Sequence, residues 1–137
     1  MHTANAWLAL RNFDWDAHTD RGRREADRAV MRRVIDPDAP IDRRANARLD
    51  KLRSRAYRTT LARILRQNLE LGAKRSPLAP PVARLLARNP ADATRIAAGL
   101  EQGEPDPRAV IETERLLQAA VPSAERLAWI GRLLAVG

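Results

Sequence analysis

The chain has 137 residues, enough for one domain burying roughly two-thirds of the surface its unfolded form exposes. It contains no cysteine, which excludes a disulfide scaffold and a thiolate metal centre. Its net charge of +8, with 31% of residues charged, points to an anionic partner, nucleic acid before an anionic membrane face.

Apolar runs such as 133–136 fall far short of the ~20 residues a membrane-spanning helix needs, so no membrane association is expected. Arg11, Asp14 and Asp16 follow directly on Leu10, a pattern unlike a signal peptide, and the expected location is the cytoplasm.

Charge is distributed unevenly. Residues 1–19 hold one Arg against two Asp (net −1), residues 20–75 hold 17 basic against 8 acidic residues (net +9), and residues 76–137 balance seven against seven. Only Lys51 and Lys74 are lysines, so part of the arginine excess is compositional. A compositional bias has no reason to stop at residue 75, however. The reading is a single domain, 1–137, with a basic helical part (1–75) and a charge-neutral helical part (76–137).

In chain order, Thr3 is placed to cap a short helix carrying Trp7, Leu8 and Leu10 and ending near Phe13. A second helix starts between Asp16 and Asp20 and runs to Ile35, where Asp36-Pro37-Asp38-Ala39-Pro40 stops it. Its apolar positions Ala26, Ala29, Val30 and Val34 have helical spacing.

Asp42 caps the longest predicted helix, 43–71, closed by Gly72 and the Pro-containing stretch 76–81. Ala45, Leu49, Leu52 and Ala56 follow a four-three-four pattern, which Leu61, Ile64, Asn68 and Leu71 resume after a five-residue step. That step rotates the apolar stripe and predicts contact with two neighbours.

Beyond residue 81 the chain reads as short helices over 82–88, 91–101, 108–120 and 123–136. Pro90 and Pro122 fit first-turn positions, 103–107 is a turn, and Ser123 caps the last helix. No period-two run of β-branched and aromatic residues marks a strand. The expected fold is all-α, a small helical bundle with one long basic central helix and several short Pro-punctuated C-terminal helices.

At ~100° per residue, Arg44, Arg48, Lys51, Arg55 and Arg58 share one face of 43–71, with Arg66 close to the same line. The apolar positions are expected on roughly the opposite side. The preceding helix repeats the arrangement with Arg21, Arg24, Arg28 and Arg32, and Lys74 and Arg75 extend the charge into the loop. From Arg44 to Arg66 is 22 residues, or about 33 Å, comparable with ~10 base pairs of duplex.

Arginine's planar fork suits phosphate oxygens, and such an array releases counterions on binding. The competing reading is an ordinary charged helix surface with local pairs such as Asp50–Arg53 or Glu25–Arg28. Only Tyr57 among the aromatics lies in the basic segment, where it reads as a core or rim residue before a stacking platform, so phosphate and sugar contacts should dominate. Replacing Arg48, Arg55 and Arg58 by Glu should abolish binding with the fold intact.

Asp14, Asp16, His18 and Asp20 alternate, but their spacing matches no calcium-loop or zinc signature, so no metal or other cofactor is expected. Residues 82–100 can be set as a helix-turn-helix, although the second helix offers only Thr94 and Arg95 for reading, with Asp92 opposing them. Leu85, Leu86, Ile96 and Leu100 read as core or as a contact for another subunit. Ser54, Ser76 and Ser123 have no nearby base, both His lie near the N-terminus, and no phosphate-cradling glycine loop is present; catalysis is not expected.

The functional expectation is a non-catalytic, cytoplasmic nucleic-acid-binding protein, RNA or DNA, gripping the phosphate backbone through Arg24, Arg28, Arg32, Arg44, Arg48, Lys51, Arg55, Arg58, Arg66, Lys74 and Arg75. The C-terminal helices would dock other protein subunits or a second copy. In size, helicity and charge it suits the small subunit of an RNA-guided CRISPR-type complex, or a phage or plasmid accessory protein. The alternatives are an adaptor or inhibitor whose arginine face meets an acidic protein surface, and a helix-turn-helix regulator.

Overall fold

The computed structural model describes residues 20–135. Among them are seven α-helices and no strand: α1 (Asp20–Ile35), α2 (Arg43–Arg53), α3 (Arg55–Leu71), α4 (Pro80–Arg88), α5 (Pro90–Glu101), α6 (Pro107–Gln118) and α7 (Ala124–Ala135). The expected helix ending near Phe13 and the Asp14/Asp16/His18 group lie outside the described residues. No helix among those described is long and apolar enough to cross a membrane.

The long helix expected over 43–71 is two helices. Ser54, in extended backbone (φ −65°, ψ 122°), closes α2 and opens α3. Its N–H donates to Lys51 O at 3.0 Å, and its Oγ accepts from Tyr57 N–H at 3.3 Å. Serine competes for backbone groups inside a helix and is favoured at an N-cap, so a break here is chemically natural. It also resolves the five-residue step: α2 buries Ala45, Leu49 and Leu52, while α3 buries Leu61, Ala62, Ile64 and Leu65. Ala56, assigned to the apolar face by spacing, is exposed.

Other ends follow their capping chemistry. Asp42 Oδ1 accepts from Ala45 N–H at 2.8 Å to start α2. Gly72, at φ +82°, ends α3 by donating to Asn68 O at 2.9 Å, in backbone that a β-carbon would strain. Pro80, Pro90 and Pro107 occupy first-turn positions, where their missing N–H costs nothing. Pro122 instead stands two residues before α7, which Ser123 caps by accepting from Arg126 N–H at 3.0 Å.

One core joins all seven helices, from Val30 through Leu61, Leu86, Ile96 and Ile111 to Ile130. α3 packs on α5, α5 on α7, and α6 reaches both α7 and the α1–α2 pair. Buried Asn68 donates from Nδ2 to Ala83 O at 3.2 Å and ties α3 to α4. Gly99 permits the close α5–α7 approach, since a Cβ there would stand 2.7 Å from Leu134 Cβ.

Candidate nucleic-acid interface

On α1 the amphipathic pattern holds. Ala26 and Val30 are buried while Arg24, Arg28 and Arg32 are exposed along the opposite side, three cations spaced one helical turn apart. Arg44 on α2, Arg55 at the start of α3, and Lys74 and Arg75 in the α3–α4 loop are also exposed.

Arg48 is a correction to the stripe. It is buried, its Nε donating to Asp27 Oδ1 at 2.7 Å and its Nη1 to Glu114 Oε2 at 3.1 Å, while Nη2 engages Glu114 Oε1. Tyr57 Oη also donates to Glu114, so residues from α1, α2, α3 and α6 meet in one buried network. The reason is angular. Four residues separate Arg48 from Leu52, ~40° on the helix, so the stripe borders the apolar arc rather than opposing it. Burial alone would depress the Arg48 pKa, but the hydrogen bonds and charges of Glu114 and Asp27 outweigh it and hold the pKa above arginine's ordinary value.

Arg58 also turns inward. It is buried, with Nη1 donating to Leu100 O at 2.7 Å and Nη2 to Arg53 O at 3.4 Å, carbonyls in the last turns of α5 and α2. A cation suits both negative helix ends. Burial, and then the neighbouring charge of Arg55, push its pKa below the ordinary value against an opposing pull from Glu104. The Ser54 break exposes the Arg53 carbonyl that Arg58 takes. A charge reversal including Arg48 and Arg58 is therefore a test of folding rather than of binding.

Arg66 is exposed and paired with Glu101 of α5, and Lys51 is half-buried with its Nζ 4.9 Å from the centre of the Tyr57 ring. The eleven-residue set thus divides into seven exposed cations, two inside the protein and two engaged at the rim. Spacing along one helix missed Arg43, Arg53 and Arg63, all exposed. Within residues 22–75 eleven cations are exposed against six carboxylates, so the outward face of this half is basic.

The carboxylates missing from the stripe come from elsewhere. α6 buries nine of its twelve residues, Glu112 and Glu114 among them. Glu112 is met by Arg115 at 3.1 Å and by Arg126. A helix buried nearly all round that carries acids needs cations from its neighbours, and this was the readable signal for the Arg48 network.

Between α1 and α2 runs a groove of about 510 Å³ lined by Arg23, Arg43, Arg44, Arg48 and Lys51 together with Gly22, Ala26 and Ala47. Across Arg48, a second cleft of about 370 Å³ contains Asp27 and Glu114 beside Arg23, Arg24 and Arg115.

In the C-terminal half, α5 lies between α3 and α7, burying Ala93, Ile96, Ala97 and Leu100, and Arg95 pairs with Asp92 at 2.8 Å. Thr94 and Arg95, the residues of α5 expected to read a groove, are both exposed. Val121, between α6 and α7, is 89% exposed, and Trp129 on α7, beside Arg126, is 39% exposed. Among the described residues no group of three or more His, Cys, Asp or Glu is arranged to hold a metal ion. Neither a family model, nor a curated protein, nor a solved structure matches the chain.

Proposed function

We propose that this protein is a non-catalytic nucleic-acid-binding subunit that grips the phosphate backbone through the exposed cations of α1, α2, the start of α3 and the α3–α4 loop. The observation that carries the reading is the sorting of charge. Asp27 and Glu114 are drawn inside while Arg24, Arg28, Arg32, Arg43, Arg44, Arg55, Lys74 and Arg75 stay outside. Such a surface supports binding through counterion release, with little base readout. The exposed Trp129 and Val121 support a protein-docking role for the C-terminal helices, in keeping with a place in a larger nucleoprotein assembly.

The test is fluorescence anisotropy with labelled single-stranded RNA, single-stranded DNA and duplex DNA across a salt series. Use of about five phosphates gives a log–log slope near −3.5 to −4.5. Arg24→Glu, Arg28→Glu and Arg32→Glu together should abolish binding and leave the thermal transition in place. Absence of binding at ~50 mM salt overturns the proposal and favours an adaptor that meets an acidic protein.

A further inference from the structure

Resting on that reading, we infer that the groove between α1 and α2 is the seat of an unpaired strand, so that the protein selects single-stranded over duplex nucleic acid. The groove's burial profile is graded. Gly22, Ala26 and Arg48 are buried at its base, Arg23 and Lys51 are half-buried, and Arg43, Arg44 and Ala47 are exposed at its edge.

The base carries the small residues Gly22 and Ala26, and the Arg48 guanidinium there is already held by Asp27 and Glu114. The edge on α2 is cationic. No carboxylate lines this groove among the described residues, whereas the cleft across Arg48 holds two. An anion is therefore directed to the α1–α2 side.

Its volume lies in the range of pockets that take small organic ligands, about the scale of one or two nucleotides. A duplex keeps its bases paired inside and its phosphates on a stiff outer ridge. It can therefore meet Arg43 and Arg44 at the groove edge but cannot lay a sugar or base face on Ala26 and Ala47. A single strand can rotate its phosphates toward Arg43 and Arg44 and lay sugar or base faces on the alanine surface. RNA and DNA strands share this chemistry.

The experiment uses the full chain with labelled oligo-U, oligo-dT and a duplex of equal length at fixed salt. Ala47→Trp fills the groove edge without changing charge, and Arg43→Ser with Arg44→Ser removes its cations while leaving the groove open. Ala47→Trp is expected to weaken both single strands at least tenfold and the duplex less than twofold. The serine pair, which also removes two cations of the wider surface, is expected to weaken every probe, but the single strands at least fivefold more than the duplex. The serine pair, being at exposed positions, keeps the test open should the tryptophan variant fail to fold.

If the wild type binds strands and duplex equally, or if Ala47→Trp and the serine pair bind single strands like the wild type, the groove is overturned and the wider basic surface stands. If the wild type binds no polynucleotide, both readings fall together. Displacement of oligo-dT by poly-glutamate at equal charge concentration would instead assign the groove to an acidic protein.

Discussion

Arg48→Met removes the cation from the buried network while keeping a long, unbranched side chain at this buried position. Asp27 and Glu114, 3% and 5% exposed, are then left inside without their main counter-charge. Breaking a buried pair in this way costs about 3–5 kcal/mol. Arg115, 3.8 Å from Asp27, and the Tyr57 hydroxyl on Glu114 offset part of it, so the lower end is expected.

For a chain of this size that loss corresponds to a fall in Tm of roughly 10–15 °C. Urea unfolding followed by far-UV circular dichroism measures it directly. Adding Asp27→Asn and Glu114→Gln to Arg48→Met removes the uncompensated charges and should recover at least ~1 kcal/mol, a coupling expected only of residues in contact. A loss below ~1 kcal/mol for the single variant, or no recovery in the triple, would refute the network as a support of the fold.

Three further substitutions probe the local arguments. Gly99→Ala gains ~1 kcal/mol in helix propensity but drives a methyl into the Leu134 Cβ; thermal unfolding should show a net loss of about 1 kcal/mol, which adding Leu134→Ala should not recover because that Cβ remains. Ser54→Ala removes the acceptor for the Tyr57 N–H and should cost ~1 kcal/mol in urea unfolding; a gain in both helicity and stability would mean that a continuous 43–71 helix is preferred.

Asp106, which caps α6 through the Arg108 N–H at 2.9 Å, is pulled upward by burial and more strongly downward by the Arg108 side-chain and backbone hydrogen bonds, leaving its pKa below the ordinary carboxylate value. Its contribution is therefore complete above the unfolded-state pKa of ~3.9 and is lost as pH falls through the lower folded value. Asp106→Ala should cost about 1 kcal/mol at neutral pH, and stability curves of the two proteins should converge below ~pH 4.

How far the sequence could be read depended on whether the deciding partner lay on the same helix. For α1 it did: Ala26 and Val30 against Arg24, Arg28 and Arg32 is a complete argument from spacing, and the structure keeps it. Asp42, Gly72 and Ser123 act within three or four residues, so their capping roles were legible too.

The break at Ser54 left two marks, a serine and a five-residue step, that were read as a rotation of one helix. Arg48 and Arg58 were misplaced because what draws them inward is remote in sequence. Glu114 stands 66 residues from Arg48, and Leu100 stands 42 from Arg58. A hydrophilic helix wheel alone does not distinguish a cation facing water from one facing an acid on another helix.

Arginine serves both roles here by the same chemistry: a fork of donors that meets carboxylates inside can meet phosphates outside. The interior use shapes the exterior one. Among the residues whose burial is described, the buried charged groups, Asp27, Arg48, Arg58, Glu112 and Glu114, sum to −1, so burial there takes more negative than positive charge from the surface. Internal pairing has thus not drawn down the surface charge, and the basic field over α1 and α2 does not depend on the Arg48 guanidinium. Folding and binding separate accordingly. Changes in the Arg48 network should move the unfolding midpoint while leaving the salt slope of binding, and changes at Arg24, Arg28, Arg32, Arg43 or Arg44 should do the reverse.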